Sequence, residues 1–290
     1  MKKRLTITLD EDLLKKIDAS VDGVNIRNRS HAIEHLLDAS LLHIAPKKAV
    51  LFAGGRKVEV DGRLLYSPMI PINGMPIMAH VLNELKRNGI TDVLVTIGKG
   101  SDDIVEYFGD GSSFGLKINY IREDAPRGTE GALELVNGLV GREPFFALNS
   151  DHIFRLDMAD MYLQHASTKA MATIALTTSI SESRMGVTRL DGFKITSFSE
   201  KPQKGEAKIV NAGIYLFDPA VLGLLTPSAE RIMLEQSLFP MLANSGRLFG
   251  YVFSTPWYSI DNLDDIKKSK AEMERVAAMI QKESARPRKA

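Results

Sequence analysis

The chain has no cysteine, and that absence removes disulfide bridges, thiolate nucleophiles and cysteine-ligated zinc. Long apolar runs are missing too, since no segment approaches the roughly 18 residues that a hydrocarbon span needs. The start, MKKRLTITLDED, alternates apolar and polar residues where a signal peptide would be continuously apolar, so a cytoplasmic protein is expected. Excess charge of one sign is also lacking: the formal net charge is +1, so any affinity for nucleic acid has to come from a local patch. The histidines contain one i,i+4 pair, His31 and His35. It lacks the glutamate beside the first histidine that a zinc-protease helix carries, so a surface or interface role is expected. What is present is ordinary: 44% hydrophobic and 25% charged residues in 290, a balance that argues against disorder and leaves room for one large domain and a small one.

Residues Lys3 to Leu9 alternate, with Leu5, Ile7 and Leu9 on one face and Arg4, Thr6 and Thr8 on the other, the pattern of a short strand. DEDLLKKIDASV comes next, with acidic residues in its first turn and Leu13, Leu14, Ile17 and Val21 on one side, an amphipathic helix whose start suits the helix dipole. A second helix opens at NRSHAIEHLLDASLL, where Asn28 or Ser30 can cap the free amides. Such a small unit cannot bury its apolar faces alone, so a homodimer formed through it is expected.

The segment KRLTITLDEDLLKKIDASVDGVNIRNRSHAIEHLL resembles the ribbon-helix-helix family of DNA-binding domains. The resemblance implies that Arg4, Thr6 and Thr8 read bases and that a DNA phosphate meets the chain at Asn28, Arg29 and Ser30. Residues 1–40 hold seven basic and seven acidic residues, so a purely dimerising unit is the open alternative.

After the joint HIAPKKA, apolar strands alternate with amphipathic helices: AVLFAGG, MPIMAHVLNELKRNG, DVLVTIGKG, SDDIVEYFGDG, LKINYIRE, GTEGALELVNGL, PFFALNSDHIF and DMADMYLQHAST. This rhythm predicts an α/β fold with a doubly wound, mostly parallel, Rossmann-like sheet, whose ligands bind at the carboxyl ends of strands. The expected domains are 1–44 and 48–290. The end of the chain reads as a helix with Ile266, Met273, Val276 and Ile280 on one side, and then a basic tail.

AVLFAGGR places a glycine pair directly after the first of these strands, where backbone amides can approach a phosphate. With PINGMPIMAHVL, RGTEGA, FFALNSDHIF, SFSEKP, NAGIYLFDPAVLGLL and WYSIDNLDDI in order, residues 48 to about 275 resemble the sugar-phosphate nucleotidyltransferases. These enzymes join a sugar 1-phosphate to a nucleoside triphosphate and release pyrophosphate. The resemblance implies Mg²⁺ held by Asp151 and Asp261, and a nucleotide against Ala53, Gly54, Gly55, Gly128 and Thr129. It also implies a sugar phosphate among Gly186, Glu200, Lys201 and Asn211. Each has a plainer reading: a strand-end aspartate is often a turn residue, EKP a charged turn, and Thr129 a helix cap.

The family's loop carries a glycine-threonine-arginine run and later a lysine before a proline; here the loop reads AGGRKVEVDGR, the arginine position falls on or near Glu59, and the lysine position holds Ser67. Losing both cations is expected to silence turnover, unless Arg56, Lys57 or Arg63 replaces them. The alternation around VDGR predicts a small β-hairpin in place of an open loop. The expected protein is therefore a DNA-binding transcriptional regulator, a homodimer or higher oligomer, whose transferase-like domain senses a nucleotide, sugar phosphate or nucleotide sugar. The alternative is an active Mg²⁺-dependent nucleotidyltransferase with a fused dimerising head.

Overall fold

The computed structural model describes residues 6–24, 26–54, 57–60, 62–179, 187–199, 208–225, 230–259, 271 and 273–279. They divide into two compact units, one within Met1–Ile44 and one within Ala45–Ser284.

In the first unit, α1 (Glu11–Ala19) begins where the Asp10 carboxylate accepts the Asp12 N–H at 2.8 Å, satisfying an amide that a helix start leaves bare. The carboxylate of Asp22 then accepts the amides of Val24 and Ile26 at 2.9 and 2.8 Å and turns the chain toward α2 (Arg29–Ile44). Ile17, Ile26 and Ala32 are buried, with Leu9, Val21 and Ile33 around them.

The structure does not show the expected ribbon-helix-helix unit. Arg4 lies outside the described residues, and Thr6 to Asp10 have no strand structure, since a period-2 pattern becomes a strand only when a second segment completes its ladder. Thr6, Thr8, Asn28, Arg29 and Ser30 are exposed. Asn28 spends its side-chain oxygen on the His31 amide at 3.0 Å, and the Arg29 guanidinium grips both oxygens of Asp18 at 2.7 Å. That pair holds the Asp18 carboxyl below its usual range and turns the positive group toward the protein's own carboxylate.

The second unit carries the α/β fold that the alternation predicts. Its elements are β1 (Lys48–Phe52), β2 (Lys57–Val60), β3 (Arg63–Tyr66), β4 (Pro71–Ile72), β5 (Met75–Pro76), α3 (Ile77–Arg87), β6 (Asp92–Ile97), α4 (Asp102–Phe108), β7 (Lys117–Arg122) and α5 (Gly128–Leu135). The later elements are β8 (Phe145–Asn149), β9 (His152–Phe154), α6 (Met158–Thr168), β10 (Ala172–Ser179), β11 (Val187–Asp191), β12 (Lys194–Ser199), β13 (Lys208–Phe217), α7 (Leu238–Asn244), β14 (Leu248–Val252) and β15 (Trp257–Ser259). The large sheet runs β10-β14-β12-β11-β13-β8-β1-β6-β7. Strands β8, β1, β6 and β7 are all parallel, with Leu51 opposite Leu148 on one side and Val95 on the other. β13 joins this block antiparallel to β8, pairing Tyr215 with Ala147.

Helices cover both faces of the parallel block, so its strands read as continuous apolar runs. Ala49 and Leu51 point to one core with Met78, Leu82 and Phe108, while Val50 points to another with Leu133, Phe239 and Leu242, the alternation a pleated strand imposes. A third cluster joins Val58, Ile70, Ile72 and Ile153 to Met273, Val276 and Ala277 of the C-terminal helical segment; Ile266 and Ile280 lie outside the described residues. Among the described residues no helix is long and apolar enough to cross a membrane.

Candidate active site

Parallel strands end side by side here, and hydrogen bonds lock the turns beyond them. The Ala53 amide after β1 donates to Thr96 O at 2.8 Å, and the Glu123 amide after β7 donates to Ile97 O at 2.9 Å. From the other side, the Ser150 hydroxyl donates to Phe52 O at 2.7 Å. The ends of β8, β1, β6 and β7 thus form one rim, the place where ligands enter open parallel sheets.

Gly54 stands at the centre of that rim. A Cβ there would lie 3.1 Å from Glu123 Oε1, so a side chain would wedge between the loop and a buried carboxyl. Burial pushes the Glu123 carboxyl above its ordinary range, against a weak pull downward from the Arg127 amide, 3.3 Å from Oε2. Sequence reasoning missed Glu123; its only signal was its place directly after a parallel strand.

Asp151 comes after β8 on the same rim. Its Oδ2 accepts the Ser67 hydroxyl at 2.9 Å, and its Oδ1 lies 3.7 Å from His152 Nε2. The residue at the family's lysine position is therefore in direct contact with the expected metal ligand. Among the described residues no group of three histidine, cysteine or acidic side chains gathers around a point. One hard, partly exposed carboxylate nevertheless fits Mg²⁺, which keeps several waters and takes further oxygens from substrate phosphates. Asp261 lies outside the described residues, as do Gly55, Arg56, Gly186, Glu200 and Lys201.

Across the sheet, β13 carries Asn211, Gly213 and Tyr215. Asn211 Oδ1 folds back to accept the Gly213 amide at 2.8 Å, which leaves its Nδ2 to donate to Tyr215 Oη at 3.0 Å and to Glu235 Oε1 at 3.1 Å. Tyr215 Oη donates to the same Glu235 oxygen at 3.0 Å. Burial, with the Glu235 charge beside it, drives the Tyr215 phenol well above its normal pKa, so it stays a neutral donor. Gly213 has φ +68°, and a Cβ there would sit 2.5 Å from His152 Cε1 and 2.6 Å from Asn149 Nδ2. The Trp257 indole donates to Ala212 O at 2.9 Å and meets the His152 ring edge-on at 5.4 Å. Tyr215 and Glu235 are further residues that the sequence reading missed, because only the fold brings them to Asn211.

The GTEG segment packs against the chain around Ile232 to Leu234. Gly128 has φ +77° and packs so tightly that a Cβ would come within 2.2 Å of Ile232 O, while the Thr129 hydroxyl oxygen accepts the Leu234 amide at 3.0 Å. Ser237 donates to the Glu130 carboxylate in the same seam. The segment therefore clamps the chain that carries Glu235.

The glycine loop continues into the hairpin that the alternation predicts, with Lys57 opposite Tyr66 and Val60 opposite Arg63. Paired residues share a face and faces alternate along a strand, so Lys57 and Arg63 diverge. Arg63 lies on the face of Val58, which is packed into the third cluster; Lys57 lies on the face of Tyr66, whose hydroxyl donates to Lys99 O at the end of β6 at 3.0 Å.

A glycine, a strand-end carboxylate and a hydrogen-bonded polar cluster along one rim mark a candidate ligand site in an α/β protein. Residues 48–275 match the Nucleotidyl transferase family model, and the chain belongs to that family. It is 28% identical over 238 residues to a mannose-1-phosphate guanylyltransferase of Mycobacterium tuberculosis, covering 78% of this chain and 64% of that protein. It is 30% identical over 225 residues to mannose-1-phosphate guanyltransferase beta-B of Xenopus laevis, covering 75% and 62%. The chain thus spans less than two thirds of these relatives' length. A Bacillus anthracis structure described as a glucose-1-phosphate thymidylyltransferase, solved with sucrose, aligns with TM-score 0.71 at 25% identity, over 78% of this chain and 95% of that one.

These relatives overturn the expectation of a DNA-binding transcriptional regulator. The matching proteins are named as sugar-phosphate nucleotidyltransferases, and neither the comparisons nor the N-terminal unit supports DNA binding or dimerisation through it.

Proposed function

We propose that the protein is a Mg²⁺-dependent sugar-1-phosphate nucleotidyltransferase, with mannose 1-phosphate and guanosine triphosphate as the first pair to test. A phosphate oxygen of the sugar 1-phosphate attacks the α-phosphorus. A new P–O bond forms, the bond from the α-phosphorus to its bridging oxygen breaks, and pyrophosphate leaves. The observation that carries this reading is Asp151 on the rim beside Ala53 and Gly54, with its carboxylate bound by the Ser67 hydroxyl. Asp151 and Asp261 would hold the cation, which supplies charge neutralisation between the two phosphates.

The chain's own groups do the rest. Gly54 presents bare backbone to the nucleotide, and Glu123 beside it offers a carboxylate to the adjacent N1–H and N2–H donors that distinguish guanine. Asn211, held in place by Tyr215 and Glu235, would line the sugar site together with Gly186, Glu200 and Lys201. The relatives' names support this choice of substrates.

A coupled pyrophosphate assay across four nucleoside triphosphates and several sugar 1-phosphates tests the reading. Turnover is expected, reduced by at least about 100-fold in Asp151→Asn. Absence of pyrophosphate from the unmodified protein with every pair would end it.

A further inference from the structure

We infer that Lys57, perched on the ring of Tyr66, is the cation that neutralises the β- and γ-phosphates of the bound triphosphate. This rests on the nucleotidyltransferase reading above and names how that site manages without the family's loop arginine and lysine.

Tyr66 is buried, with 8% of its surface exposed, and its hydroxyl is tied to Lys99 O at 3.0 Å. Its neighbour Ser67 is tied to Asp151 at 2.9 Å. The ring is therefore fixed between the end of β6 and the aspartate after β8, the two strands that flank β1 and Gly54. Lys57 Nζ lies 4.7 Å from the centroid of this ring, while Lys57 as a whole is exposed. The positive charge is thus held at the rim by an aromatic face, a partner that leaves it uncompensated.

Magnitudes favour transfer from ring to phosphate. An exposed cation–π contact holds a cation weakly, whereas the full negative charge of a nearby phosphate attracts it more strongly. The perch keeps Lys57 in place at small cost and releases it when a polyanion arrives. Glu59 shares the face but stands nearer the turn, away from Ser67. Arg63 is on the opposite face. Of the three basic residues that could replace the lost cations, Lys57 is the described one whose face meets the rim.

Titration calorimetry of the full chain with guanosine triphosphate and guanosine monophosphate tests this, alongside steady-state kinetics. Lys57→Met is expected to weaken triphosphate binding about 10- to 100-fold, to leave monophosphate binding unchanged and to lower kcat. Lys57→Arg should restore most of both. Tyr66→Leu should raise the triphosphate KM by less than Lys57→Met does, and Tyr66→Phe, which keeps the ring but drops its tie to Lys99 O, should raise it by less again. If the unmodified protein turns over and Lys57→Met binds triphosphate as tightly, this inference fails while the enzyme reading stands. If the unmodified protein neither binds nucleotide nor releases pyrophosphate, both fall.

Discussion

On the β13 side of the rim, Asn211, Tyr215 and Glu235 hold one another through three hydrogen bonds of 3.0 to 3.1 Å. On the hairpin bank, by contrast, Lys57 rests on an aromatic face and is otherwise exposed. The first bank is preorganised, with donors and acceptors set before any ligand arrives, so shape can be read there without reorganisation. The second is yielding, with a charge that must move a short way to act. In the proposed reaction this suits the two substrates: a sugar has a fixed pattern of hydroxyls, whereas a triphosphate presents charge to be met at more than one point.

The largest expected effect comes from breaking the rigid bank at its glycine. Gly213→Ala puts a Cβ at φ +68° against His152 and Asn149, and left-handed strain plus overpacking should cost about 3 kcal/mol. Urea unfolding measures this, and mannose 1-phosphate binding should disappear with it; an unchanged midpoint would show that the bank is soft after all.

A smaller change sharpens the division between the banks. Thr129→Val removes the acceptor for the Leu234 amide, an unmade bond worth about 1–3 kcal/mol, and so loosens the segment that carries Glu235. KM for the sugar 1-phosphate should rise several-fold while the triphosphate KM holds. The reverse split would return Thr129 to the nucleotide side.

The smallest effect is a pH dependence at Glu123. Burial raises its carboxyl above the ordinary value of 4.5, so the unfolded state gives up its proton first and folding stability falls as pH rises through that range. Glu123→Gln removes the buried charge. Its thermal midpoint should exceed that of the unmodified protein at pH 8, and the gap should narrow as the buffer approaches pH 4. Discrimination between guanosine and adenosine triphosphates should weaken in the same variant, because an amide presents a donor to N1–H.

Much of the fold was legible because it rests on local patterns. Val50, Leu51 and Phe52 announce a strand covered on both faces, and the acidic start of α1 with its apolar spacing announces a helix. The KVEV alternation before VDGR announced the hairpin. The same local rule misled at the N-terminus, where KRLTITL alternates as a strand does but Thr6 to Leu9 find no ladder partner among the described residues. Arg29 looked like a DNA contact because its salt bridge to Asp18, eleven residues away, leaves no local trace.

In the candidate site, Asp151 was named through the family resemblance, and it lies just after β8 with its carboxylate held by Ser67. Glu235 and Tyr215 were not legible, because they lie 20 residues apart in sequence and are joined by a crossing that only the sheet creates. Thr129 was visible, but its partner Leu234 stands 105 residues further along.

The hairpin closes with Val60 opposite Arg63, and at its tip Gly62 is exposed with φ +76°. For protein engineering this is a graft point set apart from the sheet. Residues inserted there lengthen an outer rung and leave the Tyr66 and Ser67 anchors in register. A basic residue added there, farther from Ser67 than Lys57 is, would measure by its effect on turnover how closely a positive charge must approach the rim.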